Sequence, residues 1–449
     1  MRFPISTGLT ILIAGALLTL SPKLAPALKA PRIQELASLA DFSPERTPMS
    51  PLERHVEAAP APVFHLRANG AAPLLEDSNG GLDHFYAALA RTERREPGAI
   101  TRVSHYGDSP TTADLITGDL RAMLQARYGD AGHGFILLAK PWAWYQHRGA
   151  SLSSSGWQIF PATRFEIKDG IFGLGGVNFM GNAGAKTEIE LDDSGQSNFD
   201  LYFESQPNGG TVEIFANGET AEPLDRISTA SDRAAADFAS FEVPHGASSI
   251  ELKADGPVRL FGITAEKSGP GVVYDSIGLN GASITVLSRM FNAAHWSAEL
   301  QHRHPDLVTI NYGTNEADFT SFIDKQYEKE LREAIRRVRA ALPESSILVM
   351  SPMDRGYRTG PGDIETMETI PRIVEIQRRV AAATGCGFFD TFDAMGGAGT
   401  MARWYNAQPR LVSADFIHPN PAGGKIVAAA LVKQMEMGLS RYKLRRMQN

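Results

Sequence analysis

The strongest constraint on the fold is a pattern that is interrupted and then resumes. Residues 100–130 read as strand, tight turn and helix, and strand–helix alternation returns over 272–437. The later stretch carries expected strands at 272–277, 307–311, 347–351 and 388–390, and helices at 283–301, 322–342, 371–383 and 421–437. In the 322–342 helix Tyr327, Leu331, Ile335, Val338 and Leu342 fall on one face. Such alternation implies a parallel sheet covered by helices on both faces. Between the two stretches the runs become short and are bounded by Gly, Asn, Asp and Pro: 172–179, 186–191, 199–204, 211–216, 241–243, 249–252 and 258–265. Val212-Glu213-Ile214-Phe215-Ala216 alternates as a half-buried antiparallel strand does and is followed by an Asn217-Gly218 turn. Short strands at this spacing predict a β-sandwich or jelly roll lodged inside the α/β pattern.

The ends are of a different kind. Met1-Arg2 leads into an apolar run over 8–20, followed by Ala25-Pro26-Ala27, which is short for a membrane span and fits the apolar region of a signal peptide. An uncleaved anchor is the other reading, because Lys23 and the prolines make a poor cleavage site. A Pro/Ala-rich stretch without periodicity follows, and then a short helix over 82–94. The expected order is a signal peptide or anchor over 1–30, a linker over 31–80, the first part of an α/β domain over 81–140, an inserted β-sandwich over 141–270 and the second α/β part over 271–449.

With 449 residues and a net charge of -7 the chain can bury a large core and offers no basic face for nucleic acid. Its single cysteine, Cys386, cannot close an intramolecular disulfide and reads as buried packing.

In a parallel α/β sheet, functional residues collect where strands end. The first strand delivers Gly107-Asp108-Ser109-Pro110, with Ser109 read as the N-cap and Pro110 as the first residue of a helix carrying Leu115, Ile116, Leu120, Met123 and Leu124. The second ends in Gly278-Leu279-Asn280-Gly281, and the third in Gly313-Thr314-Asn315-Glu316. Asp415-Phe416-Ile417-His418 precedes the last helix. Asp415 and His418, three apart on a turn, can set a carboxylate against an imidazole so that the ring acts as a general base. Gly281 can bring a backbone N–H to a reacting carbonyl, and Asn315 can offer a side-chain amide to an oxyanion. Taken singly, these are a helix cap, a polar turn, a turn glycine and a loop asparagine. Taken together they supply a nucleophile, a base, an orienting acid and three donors, which is what acyl transfer through serine needs.

These four blocks resemble those of the SGNH, or GDSL, hydrolase superfamily over about 82–135 and 272–437. The resemblance implies an SGNH-type three-layer α/β sandwich with a parallel sheet, interrupted here by an all-β jelly-roll-like domain. It implies Ser109 as nucleophile, His418 as base and Asp415 as its orienter, with the oxyanion held by the N–H groups of Ser109 and Gly281 and the amide of Asn315. No metal or cofactor is expected. The turn lacks the Gly-x-Ser-x-Gly elbow of classical lipases. An export signal, an inserted sandwich and the Gly-Thr-Asn-Glu block are similar to bacterial peptidoglycan O-acetylesterases, in which the insert resembles a carbohydrate-binding module.

The expected protein is therefore an exported serine esterase, periplasmic or associated with the cell envelope. It would remove O-acetyl groups from peptidoglycan or another acetylated polysaccharide, with possible contact between its N-terminus and a membrane. A polysaccharide O-acetyltransferase using the same triad, a lipid or thioester hydrolase, and a non-catalytic carbohydrate-binding protein are the alternatives. Trp142, Trp144, Tyr145 and Trp157 could stack on sugar rings or pack between domains. His302 and His304 read as surface, and the Arg441 to Arg446 tail as a solvated face.

Overall fold

A computed structural model describes residues 73–448 apart from 220 and 361, so the expected signal peptide or anchor and the linker up to 72 lie outside the described residues. Five runs of almost wholly buried residues form the parallel part of the central sheet. Their lateral order is Gly271–Gly278, Ile100–Gly107, Leu307–Asn311, Ser346–Met350 and Gly387–Phe389, with Leu75–Glu76 antiparallel at the far edge. Burial on both faces suits the apolar runs of Ser346–Met350 and Gly387–Phe389, whereas Ile100–Gly107 and Gly271–Gly278 also bury polar side chains, such as Ser104 and Asp275, which hydrogen-bond to each other at 2.8 Å. In order along the chain, the second parallel strand lies outside the first and the rest follow on the other side. The sheet therefore reverses direction between the first strand and the third, and such a reversal opens a crevice at the strands' carboxyl ends. Gly107 is level with both Gly278 and Asn311, so three strand ends meet at one height.

One face of the sheet is covered by the helices Asp83–Glu93, Thr117–Tyr128 and Pro421–Gln448, which pack on each other. The other carries Ala293–Arg303, Glu328–Ala341 and Thr369–Thr384. The three-layer α/β arrangement is thus the SGNH-type architecture that the sequence implied.

Between the first two parallel strands the chain builds two antiparallel sheets. One has five strands in the order Asp225–Ser228, Thr211–Ala216, Ser249–Asp255, Lys186–Leu191, Ala150–Ser155. The other runs Ala235–Ala247, Gln196–Ser205, Val258–Glu266, Val177–Gly181, Gln158–Pro161. The strand Gly132–Ile136, expected within the first α/β part, pairs antiparallel with Val258–Glu266 and so adds to this second sheet. Its sequence, Gly-His-Gly-Phe-Ile, is too short to show which sheet it joins. The apolar core of the sandwich, with Phe179, Ile189, Leu201 and Leu252, is continuous with that under one face of the parallel sheet, with Ile310, Ile335 and Val349. A separate cluster around Leu120, Leu124, Val427 and Leu431 fills the opposite face.

Several expected helices are divided. The helix after Ser109 is a four-residue turn, Ser109–Thr112, followed by Thr117–Tyr128, with Asp114 between them in the left-handed region at φ 53°. Asp108, not Ser109, is the flanking residue, and Ser109 is the first helical residue. The expected 283–301 helix is a π-helical turn, Val286–Met290, and a new helix capped by the Asn292 side chain, which accepts from the N–H groups of Ala294 and His295 at 3.1 Å each. The closing helix runs on to Gln448. Cys386 is buried, as expected. His302 and His304 are exposed, as expected, and the His302 ring stacks on Phe238 at 3.9 Å.

Candidate active site

Two glycines allow the nucleophile's position. Ser109 begins a helix that descends directly onto the ends of the first two parallel strands. A Cβ on Gly278 would lie 2.0 Å from Thr112 N, and one on Gly107 2.2 Å from Thr111 Oγ1. Only residues without a side chain let that turn approach so closely. Ser109 is 8 % exposed.

The imidazole comes from the far end of the chain. Asp415 Oδ1 accepts from the N–H groups of Ile417 at 2.9 Å and His418 at 3.1 Å, closing a tight turn in which Phe416 takes φ 59°. A bulky residue is uncommon in that region. Phe416 is held there by an edge-on contact with Tyr405 at 4.8 Å and by its carbonyl, which accepts from Gly356 N–H at 2.9 Å. Asn420 then caps the last helix, its side chain accepting from Gly423 N–H at 3.0 Å. This arrangement brings His418 Nε2 to 2.6 Å from Ser109 Oγ, with His418 Nδ1 2.6 Å from Asp415 Oδ2. Three residues separated by 309 positions of sequence form one hydrogen-bonded chain.

The electrostatics follow from those bonds. The hydrogen bond to Asp415 raises the His418 pKa above its ordinary value, although partial burial opposes this. Burial would raise Asp415, but hydrogen bonds from the His418 ring and from two backbone N–H groups hold its pKa at about 2. Asp108, 3 % exposed, is pushed up to about 6 by burial, against the hydrogen bond it receives from Thr314 and the nearby His418.

Two loops leave the neighbouring strand ends, Gly278 and Asn311, which are level with Gly107 just before Ser109. Gly281 has φ 71°, and a Cβ there would meet nothing within 4 Å, so the position requires glycine for its backbone conformation and not for space. Among the described residues neither Gly281 N–H nor Ser109 N–H has an acceptor. Asn315 donates one amide hydrogen to Ala282 O at 2.8 Å, which fixes its rotamer and leaves its second hydrogen for a ligand. Of the five residues singled out from the sequence, Ser109 opens a short helix directly after a parallel strand, Gly281 and Asn315 lie on loops after the two neighbouring strands, and Asp415 and His418 lie on the turn that brings the imidazole to Ser109.

Arg355 was not singled out. It donates to Thr314 O at 2.7 Å and to both oxygens of Asp318 at 3.0 and 2.8 Å, bracing the Asn315 loop. It follows the strand Ser346–Met350, and that position was the available signal. Of the aromatic group, only Trp144 stands out from the surface, at 49 % exposed, while Tyr145 is buried and Trp157 donates to Lys186 O and Thr187 Oγ1 at 2.9 Å. Among the described residues no group of three or more His, Cys, Asp or Glu is placed to hold a metal ion.

Residues 253–426 match the GDSL-like Lipase/Acylhydrolase family, a span that contains Gly281, Asn315, Asp415 and His418 and begins after Ser109. A solved structure described as a peptidoglycan O-acetylesterase in action superposes over 82 % of this chain and 100 % of its own, with a TM-score of 0.71 and 23 % identity. Its fold is the fold of this chain. A family two carbohydrate esterase from Clostridium thermocellum in complex with cellohexaose covers 65 % of this chain and 99 % of its own, at 14 % identity and a TM-score of 0.28. A family 2 carbohydrate esterase with a carbohydrate binding domain, from Corynascus thermopiles, covers 64 % and 100 %, at 13 % identity and a TM-score of 0.28. No curated protein matches the chain.

Proposed function

We propose that this chain, a GDSL-like hydrolase with the fold of a peptidoglycan O-acetylesterase, is an exported serine esterase that removes O-acetyl groups from peptidoglycan through an acyl-enzyme. The observation that carries the reading is the unbroken Ser109–His418–Asp415 chain at 2.6 Å and 2.6 Å, beside two unpartnered backbone N–H groups and a half-committed amide. Export rests on the apolar run near the N-terminus, and the polymer on the likeness to the esterase fold. No described helix is long and apolar enough to cross a membrane.

In the first step Ser109 Oγ bonds to the acetyl carbonyl carbon as its proton passes to His418 Nε2. Asp415 holds the imidazole in the tautomer whose Nε2 is free to accept, and stabilises the imidazolium that forms. The carbonyl oxygen becomes an oxyanion, met by Ser109 N–H, Gly281 N–H and the free hydrogen of Asn315. Collapse breaks the bond to the sugar oxygen, which takes the proton from His418 and leaves as the hydroxyl. Water then gives a proton to His418 as its oxygen attacks the acetyl-serine, and acetate departs with Ser109 restored.

The test is acetate release from O-acetylated peptidoglycan by the wild type and by Ser109→Ala. Loss of release in the variant to the background rate is expected, and full activity in it would overturn the mechanism. Acetylated xylan and a longer-chain ester, assayed alongside, report on the polymer and the acyl group. Acetyl transfer to an added sugar acceptor in place of release would assign the same triad to a transferase.

A further inference from the structure

Glu316 is 1 % exposed, follows Asn315 directly, and has no part in the acyl-transfer steps. Its Oε1 accepts from Ile284 N–H at 2.7 Å, while Oε2 makes no hydrogen bond with any described residue. The neighbouring Asn315 side chain donates to Ala282 O at 2.8 Å. Two consecutive residues of one loop therefore grip the other at two points, Ala282 and Ile284, immediately after Gly281. The four-residue stretch from Gly281 to Ile284 has no regular secondary structure of its own to hold it.

We infer that Glu316 is a positioning residue of the oxyanion hole: by tying Ile284 N–H to the Asn315 loop, it sets Gly281 N–H and the Asn315 amide to converge on one oxygen. This rests on the esterase reading above and deepens it. An apolar side chain would fill the same volume without the desolvation that a buried carboxyl suffers, but would leave Ile284 N–H buried and unpaired. Burial is felt by the group itself, since it pushes the Glu316 pKa up to about 7; the Ile284 N–H opposes the rise and the Asp108 charge adds to it. A single such tether matters because donors displaced by about 1 Å lose much of their hold on a transition state while binding the ground state as before.

The experiment compares wild type, Glu316→Leu, Glu316→Gln, Glu316→Asp and Ser109→Ala on a small acetyl ester, with a boronic acid as the tetrahedral mimic. In Glu316→Leu kcat is expected to fall about a hundredfold with KM within about threefold of wild type. Glutamine keeps an acceptor for Ile284 N–H and is expected to recover at least about tenfold of that loss. Boronate affinity should track kcat across the series, which a general loosening of the fold would not produce. A Glu316→Leu enzyme with wild-type kcat, a loss carried by KM, or equal boronate affinity in all variants would overturn the inference. Should the leucine variant fail to unfold cooperatively, Glu316→Asp decides: its shorter arm cannot reach Ile284 N–H, so wild-type kcat there overturns the proposal and a kcat-specific loss supports it. Activity surviving in Ser109→Ala would instead sink the esterase mechanism, so the two failures are distinguishable.

Discussion

At the scale of single residues the site turns on how Asp415 treats His418. The carboxylate raises the imidazole's pKa above its ordinary value, and only the neutral ring can take the proton from Ser109. The sign follows: kcat/KM must rise with pH as His418 loses its proton, and the limb must lie above the ordinary imidazole range. In Asp415→Asn the amide oxygen can still accept from Ile417 and His418 N–H, so the turn survives while the charge is lost. The limb should then move to lower pH and the plateau rate fall by about a hundredfold or more. A pH profile of ester hydrolysis for both proteins checks this; an unmoved limb in the variant would assign it to another group. These residues were legible in the sequence because the chemistry demands particular types, Ser, His, Asp and Asn, at strand ends. Arg355 and the tether from Glu316 were not, because their work is to brace loops through backbone atoms, and any of several side chains could do that elsewhere.

Elements were legible where burial either alternates along the strand or is nearly complete. The strands Lys186–Leu191, Thr211–Ala216 and Leu307–Asn311 fall where their apolar periodicity places them. The breaks inside helices were less so: the Asn292 cap was a readable signal, but the left-handed turn at Asp114 answers to tertiary contacts, since Arg148 N–H and Thr117 Oγ1 both donate to its carboxylate, at 2.8 and 2.6 Å. That turn halts the helix after Thr112, so the short Ser109–Thr112 element is held by the strand ends beneath it and not by its own length. Gly278→Ala tests this, because the three atoms nearest the added methyl would all be backbone, Thr112 N, Thr111 C and Thr112 Cα, at 2.0, 2.4 and 2.6 Å. We expect a destabilisation of about 1–3 kcal/mol from overpacking. The larger effect should be on kcat, lower by about a hundredfold as Ser109 Oγ moves away from His418 Nε2. Chemical denaturation and steady-state kinetics on the same preparation separate the two, and an unaffected kcat would mean that the element is positioned from elsewhere.

At the scale of the molecule the periodicity of the sequence reads as one fold inserted in another, but does not reveal how tightly they are joined. Arg303, on the helix Ala293–Arg303, is 3 % exposed and binds both oxygens of Asp275 on the parallel sheet at 2.8 Å each and Glu266 on the sandwich at 2.5 Å. Glu266 also takes Arg102 of the first parallel strand at 2.6 Å, and Asp275 accepts from Ser104 Oγ at 2.8 Å and from Phe135 N–H at 2.9 Å. Charges buried in this way are stable only as a complete set, since removing one partner strands the others away from water. Arg303→Leu therefore exposes how the parts depend on each other. It should cost about 3–5 kcal/mol, the penalty for uncompensated buried carboxylates. Because the network and the continuous core both cross from sandwich to sheet, the loss should appear as one earlier transition, coincident by far-ultraviolet circular dichroism and by tryptophan fluorescence. Two separated transitions would mean that the sandwich is an independent module and that the catalytic loops owe it nothing. A single one would mean that the crevice around Ser109 cannot be kept when the inserted sheets are cut away, so that any role they have with polymer must be tested by surface substitutions such as Trp144→Ala and not by deletion.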